Sequence, residues 1–112
     1  MSSNFSDFES FWPHYLGEHS HLVNRRFHFI GTTMVLVAAC LLVWTKNPWW
    51  IAAMPLFGYG WAWVGHFGIE KNRPATFRHP LWSLRADFRM YAMMWTGGLA
   101  EELRMAGVTT RV

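Results

Sequence analysis

Two long apolar runs, separated by three residues, occupy the middle of the chain. The first covers residues 27–45 and contains only His28 and Cys40 as ionisable groups, and the second covers residues 49–67. As helices rising 1.5 Å per residue, each run would be about 28 Å long, close to the roughly 30 Å hydrocarbon core of a bilayer. Residues 46–48 between them are enough only for a tight turn. The pattern therefore predicts an antiparallel helical hairpin of transmembrane length.

Amphipathic segments flank this hairpin on both sides. Before it, Ser6 and Glu9 form a capping-box pattern, and aromatic residues recur at helical spacing, which predicts a short surface helix. Those aromatic residues are Phe5, Phe8, Trp12 and Tyr15. After the hairpin, Pro80 suits a first helical position and Gly97-Gly98 suits a helix end. The apolar residues between them follow a three–four spacing at Leu81, Leu84, Phe88, Tyr91 and Trp95.

These segments together predict an all-α fold: a small helical membrane protein built on a transmembrane hairpin with flanking amphipathic helices. A short final helix is expected over residues 99–106, and the whole chain, 1–112, forms a single domain. Hydrophobic residues make up 52% of the chain and charged residues 15%, which excludes intrinsic disorder. One cysteine excludes a disulfide framework. The hydrophobic pattern leaves open an alternative, a buried helical pair in a soluble bundle.

The tryptophans and basic residues predict an orientation in the membrane. Trp44, Trp49 and Trp50 lie beside the turn, as in an interfacial aromatic belt, together with Lys46. Seven basic residues lie near the other ends of the two runs: Arg25, Arg26, Lys71, Arg73, Arg78, Arg85 and Arg89. The positive-inside rule then predicts an integral membrane protein with both termini in the cytoplasm, in the inner membrane if the protein is bacterial.

The N-terminal sequence and the charge pattern indicate which partners to expect. The first twenty residues contain no basic residue, so no signal peptide is expected. The formal net charge of +3 and the pI of about 9.5 suit an anionic membrane surface. The basic residues are not interleaved with exposed aromatics, so no nucleic acid is expected as a partner. Membrane lipids are the expected surroundings.

Four of the six histidines lie at one end of the predicted hairpin. His19, His21 and His28 precede or begin the first run, and His66 lies near the end of the second. On one helix, His21, Asn24 and His28 would share a face, whereas His19 needs a break in the helix to join them. Imidazole is the commonest ligand for divalent iron and zinc, so this grouping predicts a metal site. The alternatives are interfacial histidines bonded to carbonyls or headgroups, or a haem held between His28 and His66.

Three charged residues near these histidines are further site candidates. Glu70 lies four residues after His66 and faces the same way on a helix, as a metal ligand or as an acceptor that orients His66. Arg73 could hold a substrate carboxylate or pair with Glu70 or Asp87. Because Pro74 follows Arg73, the helix is expected to end there. For Asp87 a structural ion pair is the expected role.

Three sequence elements together resemble the Mpo1-like family. The first is H-x4-N-R-x2-H-x2-G-T, which starts at His19. The second is G-H-x3-E-K-N-R-P-A-T-F, which starts at Gly65, and the third is P-L-W-S-L-x2-D-F-x-M, which starts at Pro80. The resemblance covers nearly the whole chain, and the second element is the most specific of the three.

The resemblance implies a membrane-embedded, Fe(II)-dependent dioxygenase of fatty-acid α-oxidation. Such an enzyme uses O2 to cleave a 2-hydroxy fatty acid to the fatty acid one carbon shorter. The iron ligands carried over are His19, His28 and His66, with His21 as an additional candidate. The catalytic candidates are Asn24, Glu70 and Arg73. The alternative function is a non-catalytic, membrane-embedded lipid-binding or scaffold protein.

Overall fold

The computed structural model describes residues 5–112, which form five α-helices and no β-strand. The α-helices are α1 (Phe8–Gly17), α2 (Leu22–Thr45), α3 (Trp49–Trp63), α4 (Pro80–Thr96) and α5 (Leu99–Met105). A π-helical segment, Val64–Glu70, continues α3, and a 3-10 turn covers Ala75–Phe77. The all-α prediction is confirmed.

The helix ends follow local sequence signals, with one difference from prediction. Helix α1 is capped by Asp7 rather than Ser6, and Ser10 rather than Glu9 completes the capping box. The Asp7 carboxylate accepts from the Ser10 amide at 2.9 Å, so the whole motif lies one residue later than expected. Helix α4 starts at Pro80 and ends at Gly97, whose φ of 84° lies in the left-handed region. Both of these predicted ends are confirmed.

The two apolar runs form the long helical pair α2 and α3. The turn between them reverses the chain at Lys46, which adopts a left-handed φ of 58°. The helices pack closely because Gly31 has no side chain: an added Cβ there would lie 3.0 Å from Cβ of Trp61. The indole of Trp61 also donates to the sulfur of Met34 on α2 at 3.1 Å.

The main hydrophobic core lies beside this pair, between α1, α4 and α5. Phe11, Tyr15 and Leu16 of α1 are completely buried in it. Met90 of α4 and Leu103 of α5 belong to the same core cluster. The predicted amphipathic helix α1 is confirmed, since Phe8, Trp12 and Tyr15 are buried whereas Glu9 and His14 are exposed. Its closely spaced rings cover the start of α4 and α5, because burying that aromatic area stabilises the folded chain far more than exposing it.

In the described residues, α2 is the one helix long and apolar enough to cross a membrane. Only 17% of its most apolar window is buried inside the protein, whereas a core helix of a soluble bundle would be mostly buried. Helix α3 has 15 residues before the π-helical segment begins. Large apolar side chains at the turn end are widely exposed, including Val43, Trp44 and Trp49 at 76, 82 and 77%. The transmembrane hairpin stays a prediction.

Candidate metal centre

Three buried histidines from three different segments meet at the end of the helical pair away from its turn. His19 lies in the break between α1 and α2, His28 lies in α2, and His66 lies in the π-helical segment. Their exposed fractions are 1, 6 and 2%. One ring nitrogen from each lies within 4.8 Å of the other two. The break after α1 supplies the change of direction that His19 needs to reach the other rings.

The hydrogen bonds of His19 and His28 define which ring nitrogens are free. Nδ1 of His19 lies 2.7 Å from the carbonyl oxygen of Tyr15, and Nδ1 of His28 lies 3.0 Å from that of Asn24. A carbonyl oxygen can only accept, so each Nδ1 carries the proton and donates. Each Nε2 therefore presents an unprotonated lone pair.

His66 is held by the side chain of Asn72, which is not one of the predicted site residues. Its Nδ1 lies 2.7 Å from Oδ1 of Asn72. The amide nitrogen of Asn72 donates to the carbonyl oxygen of Glu18 at 3.1 Å, which leaves Oδ1 as the acceptor. Nε2 of His66 is therefore free as well. Asn72 lies within the second of the three family motifs, six residues after His66. An amide side chain at that distance from a candidate ligand is the sequence signal from which Asn72 could have been predicted.

The spacing of the Nε2 atoms suits a bound cation. Nε2 of His19 and Nε2 of His28 are 3.1 Å apart, and neither carries a proton. Two lone pairs at this distance repel each other unless a positive charge lies between them. Two imidazoles bound to one metal at about 2.1 Å have nitrogens roughly 3.0–3.4 Å apart, so the observed spacing fits shared coordination.

Burial keeps the site in its metal-binding protonation state. Burial is the main cause that holds the pKa of His19 well below its ordinary value, and the neighbouring His28 and His66 rings lower it further. A neutral imidazole is the form that binds metal. Across residues 5–112, no carboxylate joins the three-histidine group.

The haem alternative does not fit this geometry. His28 and His66 would have to lie on opposite faces of a porphyrin, but their ring centroids are 5.1 Å apart. The His19 ring lies 4.5 Å from each of them and occupies the space beside both. The site suits a single metal ion.

His21, proposed as an additional ligand, does not join the group. It is the N-cap of α2, and its Nδ1 accepts from the amide of Val23 at 3.1 Å. Its backbone amide donates to Oε2 of Glu70 at 2.7 Å. The imidazole of His21 therefore has a local structural role at the start of α2.

Glu70 is not part of the three-histidine group, and both of its carboxylate oxygens accept hydrogen bonds. Its side chain is 1% exposed. Oε2 accepts from the His21 amide and from Nδ2 of Asn24, at 2.7 and 3.2 Å. Oε1 accepts from Arg111 and from Oγ of Ser20. With four donors, Glu70 holds the start of α2 in place rather than orienting His66, which Asn72 does.

Asn24 supports the site through both its backbone and its side chain. Its carbonyl holds His28 and its amide nitrogen holds Glu70, and the residue is completely buried. Its Oδ1 is buried with no partner. A Cβ added to Gly65 would lie 1.8 Å from that oxygen, so only glycine fits beside Asn24.

Arg73 and Asp87 take up positions other than the expected ion pairs. Arg73 is exposed, and its guanidinium lies over the Phe77 ring, 5.5 Å from the centroid. Asp87 accepts a hydrogen bond from the hydroxyl of Tyr15. Burial raises the pKa of the Asp87 carboxyl to about 7. The expectation of an ion pair at Asp87 is therefore wrong, because α4 places it against a phenol.

A cavity of about 230 Å³ lies between α2, α3 and α4, and His28 forms part of its wall. Most of the wall is apolar and includes Val35, Met54, Leu84 and Phe88. The polar or ionisable side chains on it are His28, Thr32, Tyr59 and Asp87. Arg73 lines a different pocket, near Arg78 and the start of α4.

The fold and site thus define a small all-helical protein with a buried three-histidine centre beside an apolar cavity. The profile of the Mpo1-like family, described as 2-hydroxy-palmitic acid dioxygenase Mpo1-like, matches residues 5–99. The chain belongs to this family. No curated protein and no solved structure matches the chain.

Proposed function

We propose that the protein is a membrane-bound, iron(II)-dependent dioxygenase that converts a 2-hydroxy fatty acid and O2 to the fatty acid one carbon shorter, CO2 and water. The observation that carries the proposal is the convergence of three buried histidines, with one ring nitrogen of each within 4.8 Å of the others, beside an apolar cavity. The family description supports the reaction class and the fatty-acid substrate. His19, His28 and His66 are the proposed iron ligands.

The residues around the histidines pre-arrange them for metal binding. Every Nδ1 has an acceptor, so no imidazole has to rotate or change tautomer when a metal arrives. With three protein ligands, a metal keeps open positions for small molecules. Ferrous iron bound there would supply redox chemistry toward O2 and a positive charge for the hydroxyl and carboxylate oxygens of the substrate.

The cavity supports an amphiphilic substrate with its polar end near the histidines. His28 belongs both to the cavity wall and to the three-histidine group, so the metal centre and the cavity are adjacent. Val35 and Met54 provide apolar surface for the first carbons of an acyl chain. Arg73, which lines another pocket, does not reach this cavity wall.

Insertion of α2 and α3 into a bilayer is part of the proposal. The length and apolarity of α2 and the exposed Val43 and Trp44 near the turn support insertion with the turn leading. Arg26, which is exposed, precedes the first apolar run and would remain at the surface, on the cytoplasmic side by the positive-inside rule. A fatty acid dissolved in the same bilayer would then reach the cavity without crossing water.

The test is iron reconstitution joined to a product assay. The purified chain is loaded with Fe(II) under nitrogen, its metal content is measured, and 2-hydroxypalmitate and air are then supplied. We expect one iron per chain and pentadecanoic acid as product. His66→Gln should lose both iron and turnover, whereas His14→Gln, at an exposed histidine outside the group, should keep both.

Two results would contradict the proposal. One is a wild-type chain that takes up no iron, and the other is a His66→Gln variant that turns over like the wild type. Lipid binding that persists without iron or turnover would instead support the non-catalytic lipid-binding alternative.

A further inference from the structure

Asp87 is a carboxyl group in the wall of an otherwise largely apolar cavity. It is the one carboxyl group on that wall among the described residues, and it faces a cavity that His28 and Thr32 of α2 also line. One of its oxygens accepts from the Tyr15 hydroxyl. Within residues 5–112 its other oxygen has no hydrogen-bond partner. This oxygen is open to the cavity, where water or the donor of a ligand can pair with it.

We propose that Asp87 recognises the 2-hydroxyl group of the substrate and so selects 2-hydroxy acids over unsubstituted fatty acids. This inference rests on the proposed function, because it assigns a specificity residue within the same cavity. The hydroxyl would donate to the free oxygen of Asp87, whose other oxygen accepts from the Tyr15 hydroxyl.

The chemistry of the cavity argues for a hydroxyl rather than another polar group. Above its pKa of about 7, Asp87 is ionised and repels a second carboxylate, so it does not suit the acid end of the substrate there. An unsubstituted acyl chain offers no donor and leaves the oxygen of Asp87 unpaired. Sites built to hydrogen-bond a substrate hydroxyl reject analogues that lack it, because a buried group then loses its partner.

The experiment measures binding rather than turnover. The full chain, loaded with Fe(II) under nitrogen and held in detergent micelles, is titrated calorimetrically with 2-hydroxypalmitate and with palmitate. The affinity ratio of the two acids is compared between the wild type and Asp87→Leu. Partitioning into micelles and chelation by the metal affect both proteins alike, so the change in this ratio reports on Asp87.

We expect the ratio to fall about tenfold in Asp87→Leu, through weaker binding of the hydroxy acid. Tyr15→Phe removes the donor to Asp87 but leaves the carboxyl in the cavity, and it should keep most of the wild-type ratio. An unchanged ratio in Asp87→Leu would overturn the inference. So would an equal loss in Tyr15→Phe, which would show that Asp87 acts only by bracing the helices.

A second variant keeps the inference testable if Asp87→Leu does not fold. Asp87→Asn retains an oxygen that accepts from Tyr15, and it presents an NH2 donor to the cavity instead of an acceptor. Binding of 2-methoxypalmitate, whose ether oxygen only accepts, should improve relative to 2-hydroxypalmitate by about tenfold. No change in that relative affinity would contradict the inference. Failure of the proposed function would appear separately, as absent iron or turnover in the wild type.

Discussion

Oδ1 of Asn72 lies 2.7 Å from Nδ1 of His66, and the amide group of the same Asn72 donates to the carbonyl oxygen of Glu18 at 3.1 Å. One side chain thus joins the end of α1 to the imidazole carried by the π-helical segment. Because a π-helix contains an extra residue per turn relative to an α-helix, it shifts the direction of the side chains that follow. This shift, together with the left-handed backbone at Lys71, places Asn72 beside the imidazole of His66.

Replacing Asn72 by alanine should weaken metal binding without unfolding the chain. The His66 ring would lose the acceptor that fixes its tautomer, and such changes typically lower metal affinity 10- to 100-fold. Competition with a chelator for Fe(II) or Zn²⁺ measures the effect. Asn72→Asp keeps an acceptor for Nδ1 and should lose less affinity. Equal affinity in the wild type and Asn72→Ala would show that the bond does not orient His66 for metal.

Substitution of His21 should affect helix stability rather than metal content. His21→Ala removes the cap that accepts from the amide of Val23, and loss of an N-cap costs about 1 kcal/mol. His21→Asn, a good cap, should restore that stability. Thermal unfolding and iron analysis of both variants check this expectation. A drop in iron stoichiometry in His21→Asn would instead identify His21 as a ligand.

Gly65→Ala should strongly destabilise the protein. The new Cβ would lie 1.8 Å from Oδ1 and 2.8 Å from Cγ of Asn24, a completely buried residue that is bonded to Glu70 and His28. Since Asn24 cannot move without breaking those bonds, we expect a loss of about 3 kcal/mol.

Gly60→Ala is the matched control for the preceding change. A Cβ at Gly60 meets nothing within 4 Å, so the substitution should be neutral or stabilise by up to about 1 kcal/mol through helix propensity. Unfolding of both variants in detergent, followed by circular dichroism, measures the difference. Similar stabilities for the two variants would contradict the close packing of Gly65 against Asn24.

Asp87 should make a contribution to the stability of the protein that falls as pH rises through neutrality, whereas buried His19, whose pKa is lowered, contributes in the opposite direction. Burial raises the pKa of this carboxyl from 3.8 to about 7, so the folded state binds its proton more tightly than the unfolded state does. The resulting stabilisation is complete below about pH 3.8 and is lost as pH rises through about 7. Between pH 5 and pH 8 the loss amounts to roughly 3 kcal/mol.

The free energy of unfolding at pH 5 and pH 8 tests this dependence. Asp87→Asn removes the titrating group, so the free energy of unfolding at pH 8 relative to pH 5 should be higher in the variant than in the wild type by that amount. Burial also raises the pKa of Glu18 to about 7, and Glu18 contributes equally to both proteins. Identical pH profiles for the wild type and Asp87→Asn would mean that Asp87 titrates normally in the folded chain.

Arg111→Ala should destabilise the fold although Arg111 lies outside the residues matched by the family profile. The Glu70 carboxylate that it pairs with is 1% exposed and would keep only Ser20, at 3.4 Å, as a donor to Oε1. A buried charge that loses its partner costs about 1 to 3 kcal/mol. Arg104→Ala breaks an exposed pair with Glu101 and should change stability by less than about 1 kcal/mol. Equal effects of the two variants would contradict a supporting role for Arg111.

The sequence by itself determined the helices and most of their ends. Pro80 and Gly97 act through the local backbone, and the two apolar runs specify helices wherever they are placed, so these features could be predicted without knowing the fold. The three-residue turn was also enough to bring the regions around His28 and His66 to the same end of the helical pair. The spacing of the rings predicted which face of α1 is apolar, but not its packing partners, because these lie in α4 and α5, more than sixty residues away.

Only the tertiary structure decided how the site is built. The neutrality of His19 and the tautomers of all three imidazoles depend on which carbonyl or amide oxygen each Nδ1 meets. The partner of Asp87 is Tyr15, 72 residues earlier, and that of Glu70 is Arg111, 41 residues later. Spacing along one helix cannot predict such partners. A buried polar group takes whichever donor or acceptor the packing of distant segments brings within hydrogen-bond distance, and the cost of leaving it unpaired then holds that arrangement in place.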